Sequence, residues 1–192
     1  MKPKINRATD MNVSQGMDRC MTPAYALDPL LPYINSSWTF WEPTAGTGNI
    51  VKALSAAGHS VFGTDILGFP VGNQPLNFFT WQPLQFDALI TNPPYSCKYD
   101  FLARCYDIGK PFALLVPVEM IGAQAAQRLM EKHGVELLLL NRRVNFEMPN
   151  KGWSGSSAQF PVLWLCWKML PSPIVYGRLT PRAAEQNVME LV

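Results

Sequence analysis

Phe86-Asp87-Ala88-Leu89-Ile90-Thr91-Asn92-Pro93-Pro94-Tyr95 is the segment around which the rest of the chain can be organised. Its first six residues are a short, mainly apolar run stopped by prolines, the pattern of a buried strand. Asn92 precedes a proline and is therefore pushed out of helical geometry into an extended one. Pro93 and Pro94 fix their own φ and remove two backbone donors. The result is a rigid turn at a strand end, presenting an amide oxygen, an unengaged backbone carbonyl and an aromatic face. Such a set suits a flat acceptor bearing an exocyclic amine: oxygens for its N–H groups and a ring to stack on its plane.

On either side of this segment, strands and helices alternate. Trp38 to Glu42 reads as a strand, Asn49 to about Ala57 as a helix that stops at Gly58, and Ser60 to Thr64 as a second strand. A short strand is expected near Leu76 to Phe79, within a Pro/Gly/Asn-rich stretch over 67–85. After the proline turn come a helix over Asp100 to Ile108, a strand over Phe112 to Val116, a helix over Ala123 to Lys132 and a strand over Val135 to Leu140. A long polar loop covers 141–159, and Phe160 to Trp167 reads as the last strand. Upstream, Pro23 opens a helix running to about Tyr33, with Thr22 as its cap. The tail from Pro171 reads as irregular up to a helix over Pro181 to Met189. Alternation of this kind argues an α/β domain with a mainly parallel sheet. Ligands of such sheets bind at the carboxyl ends of strands, near the topological switch point.

Composition sets the outer limits. A chain of 192 residues can bury one substantial core, and 48% hydrophobic against 16% charged residues excludes a disordered chain. A net charge of +2 does not by itself argue nucleic-acid binding; a local basic patch would have to supply it. Cys20, Cys97, Cys105 and Cys166 show no metal-ligand spacing, so no metal and no disulfide framework is expected, and a reducing cytoplasm suits the chain. No apolar run approaches the length of a membrane span.

Two upstream segments add chemistry. The turn Glu42-Pro43-Thr44-Ala45-Gly46-Thr47-Gly48 follows a strand and opens a helix, and its glycines let the backbone approach a ligand. The full dinucleotide fingerprint is broken at Val51, so a ligand smaller than a dinucleotide is indicated. Glu42, at the strand end, can hold a cationic group. Asp65 ends the next strand about 20 residues on, where an acid commonly accepts from ribose hydroxyls. A glycine turn followed by such an acid favours a nucleoside.

In this order, these residues resemble the class I S-adenosylmethionine-dependent amino-methyltransferases, and in particular the DNA adenine-N6 enzymes, over about Thr22 to Trp167. The resemblance implies a Rossmann-like class I methyltransferase fold: a mainly parallel seven-stranded sheet with an antiparallel last strand and helices on both faces. It implies S-adenosyl-L-methionine as cofactor, held by Thr22, Pro23, Glu42, Pro43, Ala45, Gly46, Gly48, Asp65 and Ile66, with Asn77 and Phe78 at the cofactor adenine. Asn77 stands where the family usually has Asp. Asn92, Pro93, Pro94 and Tyr95 match the catalytic motif and are the implied catalytic residues. The motif order is similar to the gamma arrangement, and the overall look to small phage-type enzymes, including those of restriction-modification.

The implied partner is DNA, reached by base flipping, with no membrane involved, in a bacterial or phage-infected host cytoplasm. Phe146 resembles the aromatic that stacks on the flipped base opposite Tyr95, and Arg142, Arg143, Lys151, Ser154 and Ser156 suit phosphate contacts. The chain divides into an arm over 1–21, one catalytic domain over 22–170 and a tail over 171–192. No separate target-recognition domain is expected, a departure from the gamma enzymes that leaves sequence reading to the 141–159 loop and the tail. RNA adenine and a protein glutamine amide stay open as acceptors for the same chemistry. Cytosine N4 fits less well, since Ser more often replaces Asn92. A non-catalytic nucleic-acid-binding subunit of the same fold is the reading from a different class.

Overall fold

The computed structural model describes residues 20–68, 75–146 and 160–179. They form a seven-stranded sheet: β1 (Thr39–Glu42), β2 (Ser60–Gly63), β3 (Ala88–Thr91), β4 (Phe112–Pro117), β5 (Glu136–Leu140), β6 (Val162–Trp167) and β7 (Ile174–Gly177). The strand order is β2-β1-β3-β4-β6-β5-β7. β6 runs antiparallel to both of its neighbours, and every other pairing is parallel. Three helices connect the strands: α1 (Asn49–Ala56), α2 (Lys98–Ile108) and α3 (Gln124–His133).

The sheet is apolar on both faces, as a parallel sheet covered on two sides must be. Along β4 the side chains alternate with the period of two expected of a strand. Ala113 and Leu115 join one core with Phe40, Ile90, Trp164, the inner face of α1 and the segment 26–34. Phe112, Leu114 and Val116 join the other core with Trp41, Leu89 and the inner faces of α2 and α3. Trp164 donates its indole N–H to the Ala26 carbonyl at 2.9 Å, and Trp167 donates to His133 at 2.8 Å. The polar edge of each ring is thereby satisfied where its body is packed. α1 ends in a Schellman arrangement: His59 N–H to Leu54 O at 3.0 Å and Gly58 N–H to Ser55 O at 3.0 Å, with Gly58 at φ 88.

Three sequence expectations change. The helix over Pro23 to Tyr33 is instead two single turns of 3₁₀ helix, Ala24–Ala26 and Leu31–Tyr33. Pro29 and Pro32 each lack an amide donor and disfavour helical geometry in the residue before them. The strand near Leu76 to Phe79 is a turn, in which Asn77 O accepts the amides of Thr80 and Trp81 at 3.1 and 2.9 Å. The seventh strand lies instead in the tail, where Ile174 to Gly177 pairs in parallel with Leu137 to Leu140. Gly177 is required there, because a Cβ would lie 2.6 Å from Pro29 Cβ. The last sheet strand in sequence is thus the parallel β7, and the antiparallel strand is β6, over the expected Phe160 to Trp167 segment. Residues 1–19 of the expected arm, the helix over Pro181 to Met189 and most of the 141–159 loop lie outside the described residues. Among the described residues no helix is long and apolar enough to cross a membrane.

The chain leaves β1 for β2 on one side and returns to β3 on the other. The switch point therefore lies between β1 and β3. Their register, Trp41 with Leu89, brings the strand ends Glu42 and Thr91 together.

Candidate active site

Glu42 closes β1 and is 1% exposed. Its Oε1 accepts the Thr44 amide at 2.9 Å, the Thr44 hydroxyl at 3.2 Å, and the Thr91 hydroxyl. Its Oε2 is buried with no hydrogen-bond partner. Burial pushes the carboxyl up to about 8, and the Asp65 charge adds to this; the hydrogen bonds from Thr91 and Thr44 pull the other way. Below that pH the carboxyl is mainly neutral, which is how a buried, half-satisfied acid avoids the cost of an unpaired charge.

The glycine turn wraps over this group. Ala45 N–H bonds to Thr64 O at 2.9 Å, and Gly46 N–H to Asp65 Oδ2 at 2.9 Å, so the turn is laced to the end of β2. Gly46 has φ 50, and a Cβ there would sit 3.2 Å from the Met21 sulfur. Asp65 takes the Leu67 amide on Oδ1 at 2.8 Å, so both its oxygens already hold a backbone donor.

Across the switch point, Asn92 follows Thr91. Its side-chain Oδ1 is buried with no hydrogen-bond partner. Its backbone carbonyl accepts the Thr44 hydroxyl at 3.1 Å. Between the two turns and the segment at 20–22 lies a small open pocket of about 30 Å³, lined in part by Thr22, Ala45 and Asn92. Three stretches far apart in the chain thus meet at one point. An amide oxygen and a carboxyl oxygen are both buried there without a protein partner; the amide oxygen is an acceptor as it stands, and the carboxyl oxygen becomes one when Glu42 ionises.

Tyr95 begins the 3₁₀ turn Tyr95–Cys97 that leads into α2. Its ring meets Phe146 at 6.5 Å and 83°, and Phe160 at 5.6 Å and 64°. These are edge contacts. A flat ring lying between Tyr95 and Phe146 requires one of them to turn. The Tyr95 hydroxyl is buried without a partner, and burial drives its ionisation well above the ordinary tyrosine range.

The remaining sequence candidates spread out. Phe78 is 3% exposed and stacks on Phe101 at 4.3 Å and 12°, so its ring is a core ring, with no face open to a ligand in this structure. Asn77 Oδ1 is engaged by the Phe79 amide at 2.9 Å. Ile66 is half-buried beside Asp65, and Arg142 and Arg143 follow the end of β5. Lys151, Ser154 and Ser156 lie outside the described residues. Sequence reasoning missed Thr44 and Thr91, the two hydroxyls that join the turns; a threonine at a strand end carries no signal of its own. It also passed over Asn145, 4% exposed, whose two side-chain amide atoms have no partner although its backbone N–H bonds to the Tyr25 hydroxyl at 2.8 Å. A polar residue sandwiched between Val144 and Phe146 was the available clue.

No protein-family model matches the sequence, and no curated protein does. Solved structures do. A Vibrio vulnificus YJ016 protein assigned as the modification subunit of a type I restriction enzyme superposes with a TM-score of 0.53 at 13% identity, over 92% of this chain and 49% of that one. Ribosomal protein L11 methylase from Lactobacillus delbrueckii subsp. bulgaricus gives 0.51 at 10% identity, over 76% and 77%. A dimethyladenosine transferase from Plasmodium falciparum gives 0.50 at 16% identity, over 79% and 63%. The chain therefore spans about half of the Vibrio protein and under two thirds of the Plasmodium one. At such identities the likeness is one of architecture: the chain has the Rossmann-like class I methyltransferase fold.

Proposed function

We propose that this protein transfers the methyl group of S-adenosylmethionine to the N6 amino group of adenine in DNA. The observation that carries the reading is the buried, unpaired Oδ1 of Asn92 at the switch point, in a residue whose backbone carbonyl lies 3.1 Å from the Thr44 hydroxyl of the glycine turn and which is followed by the turn to Tyr95. The names of two structural neighbours, a restriction modification subunit and a dimethyladenosine transferase, support a nucleic-acid acceptor and an adenine amine.

The residues present fit the cofactor. Thr22, Ala45 and Asn92 line the pocket, and the Glu42 Oε2 that would take its ammonium group is buried without a partner, next to that lining through Thr44. When bound, the cofactor supplies an electrophilic methyl on a sulfonium. The protein's part is to place the acceptor. The Asn92 amide oxygen accepts an N–H of the target amine, and the Pro93 carbonyl is positioned by sequence to take the second. Both bonds favour a pyramidal nitrogen whose lone pair is withdrawn from the ring. As positive charge develops on that nitrogen, the same acceptors stabilise it without reorganising. No strong base is required, because the cationic nitrogen sheds its proton readily. Tyr95 stacks on the extruded base, contributing roughly 1–3 kcal/mol against a flipping cost of a few kcal/mol.

The test is to incubate the protein with labelled S-adenosylmethionine and separate pools of duplex DNA, single-stranded DNA, RNA and protein. Mass spectrometry of the product should find N6-methyladenine in DNA. Label confined to RNA or protein would reassign the acceptor, and no transfer to any pool would remove the enzymatic reading.

A further inference from the structure

Three aromatic rings meet at the carboxyl edge of the sheet. Tyr95 follows β3, Phe146 lies beyond the end of β5, and Phe160 stands just before β6. β6 runs antiparallel to β4 and pairs Val162 with Pro117, so its start lies beside the end of β4. That brings Phe160 to the edge where Tyr95 leaves the sheet. Both phenylalanines make edge contacts with Tyr95, Phe160 the nearer at 5.6 Å and Phe146 at 6.5 Å. The Tyr95 hydroxyl is buried without a partner, so it makes no hydrogen bond that could set the direction of the ring. Packing alone holds the plane on which a base would stack.

We propose that Phe160 is a positioning residue that fixes the plane of Tyr95, and that Phe146 is the ring that turns to admit the acceptor base. This rests on the reading of Tyr95 as the ring that stacks on that base. The two phenylalanines differ in how their backbones are held. Phe160 precedes Pro161, which confines it to extended geometry. The Pro161 carbonyl accepts the Val118 amide at 3.0 Å, and Val162, buried, opens the antiparallel register with β4. Phe160 is thereby anchored to the sheet itself. Phe146, among the described residues, pairs with no strand. Beside it, the Asn145 N–H bonds to the Tyr25 hydroxyl at 2.8 Å, a side-chain partner on a single turn of 3₁₀ helix. The ring nearer to Tyr95 is thus the better held of the two.

The division of labour has a physical reason. A ring already held in the stacking plane loses no rotational freedom when the base arrives, whereas a ring ordered on binding subtracts from affinity. One rigid wall is enough to define the plane of the acceptor relative to Asn92, because Tyr95 and Asn92 share the same proline turn. The opposite wall has to yield, since a flat ring cannot enter between Tyr95 and Phe146 across their edge contact. Without the Phe160 edge the Tyr95 plane is undefined, and the target amine is no longer aimed at Asn92 Oδ1.

The test separates the base from its backbone. The probes are a single-stranded deoxyadenosine oligonucleotide and an abasic one of the same length, and the ratio of the two affinities isolates the contact to the base. Phe160→Ala should lower that ratio roughly 2- to 10-fold, the worth of one aromatic edge contact. In a Tyr95→Ala background the same change should lower it no further, because the ring to be positioned is gone. An equal fall in both backgrounds overturns the proposal, as does no fall in either. If the alanine variant does not fold, Phe160→Leu, which keeps most of the apolar volume, goes through the same cycle. In the wild type, NOEs between the Tyr95 and Phe160 rings should survive addition of the deoxyadenosine oligonucleotide, and those between Tyr95 and Phe146 should be lost. Loss of the first or survival of the second overturns the assignment of fixed and turning rings. A wild-type ratio of one removes Tyr95 as the stacking ring, and the proposal falls with the reading it rests on. A ratio well above one without coupling removes Phe160 alone.

Discussion

The turn after β1 and the turn after β3 lie side by side and handle hydrogen bonding in opposite ways. The glycine turn spends its amides inside the protein: Thr44 to Glu42, Ala45 to Thr64, Gly46 to Asp65. The proline turn has two residues without amides and leaves the Asn92 side-chain oxygen buried and unpaired. Glycine permits the close backbone approach that the first turn needs. Proline makes the second turn rigid while subtracting donors. One turn is satisfied within the protein, and the other leaves an acceptor unpaired. The same contrast separates the two acids. Asp65 holds a backbone donor on each oxygen, whereas Glu42 crowds three donors on one oxygen and leaves the other bare.

The sharpest way to break this comparison is Asn92→Ala. It removes the unpaired acceptor and leaves the glycine turn intact, so methyl transfer should fall by at least about 10²-fold, the typical loss of one transition-state hydrogen-bonding group. Cofactor affinity, read by calorimetry, should stay as in the wild type. A variant that still turns over at the wild-type rate would remove Asn92 from the mechanism.

Glu42→Gln tests the other side. Loss of a hydrogen bond to a charged group should weaken cofactor binding roughly 10- to 100-fold. In the wild type, Glu42 must lose its proton to accept an ammonium. Affinity should therefore rise with pH towards about 8 and then level, with a proton released on binding that calorimetry in two buffers detects. Stability runs the opposite way. The carboxyl lies above its ordinary value of 4.5 in the folded protein, so its contribution is full below 4.5 and is lost as the pH climbs through about 8. Glu42→Gln should flatten that slope in urea melts.

Tyr95 separates ring from hydroxyl. Tyr95→Ala should weaken acceptor binding by about 1–3 kcal/mol through lost stacking. Tyr95→Phe should be close to neutral, because the buried hydroxyl has no partner to lose. At Asn145 the expected effect is on stability alone. Replacing its buried, unpaired amide with the similarly sized Leu should add about 1–3 kcal/mol of stability. That corresponds to about 2–4 °C in Tm per kcal/mol for a chain of this size. A fall in Tm would mean that the amide is satisfied after all.

Much of the fold was open to a reading of the chain alone, for identifiable reasons. β1, β3, β4 and β6 are short apolar runs bounded by turns, and α1 to α3 carry apolar stripes or glycine stops, all local signals. β7 was missed because Ile174 to Gly177 lies between prolines and a polar tail, and becomes a strand only by pairing with β5. The expected helix over 23–33 failed for a local reason that was available, its internal prolines. Phe78 was assigned to a ligand by resemblance, and the contact that places it in the core, Phe101, is a packing partner no local pattern reveals.

What the amino-acid order alone determined is the chemistry of each turn: proline and glycine act on their own φ and on the residue beside them, so the rigid acceptor at Asn92 and the close-approach loop at Gly46 are written locally. What only the tertiary structure decided is which groups are left wanting. Glu42 became a neutral acid with one bare oxygen, and Thr44 became the link to Asn92, because the register of β1 against β3 buried them together. Desolvation and hydrogen-bond geometry depend on neighbours nearly fifty residues away in sequence, and no stretch of the chain read by itself contains them.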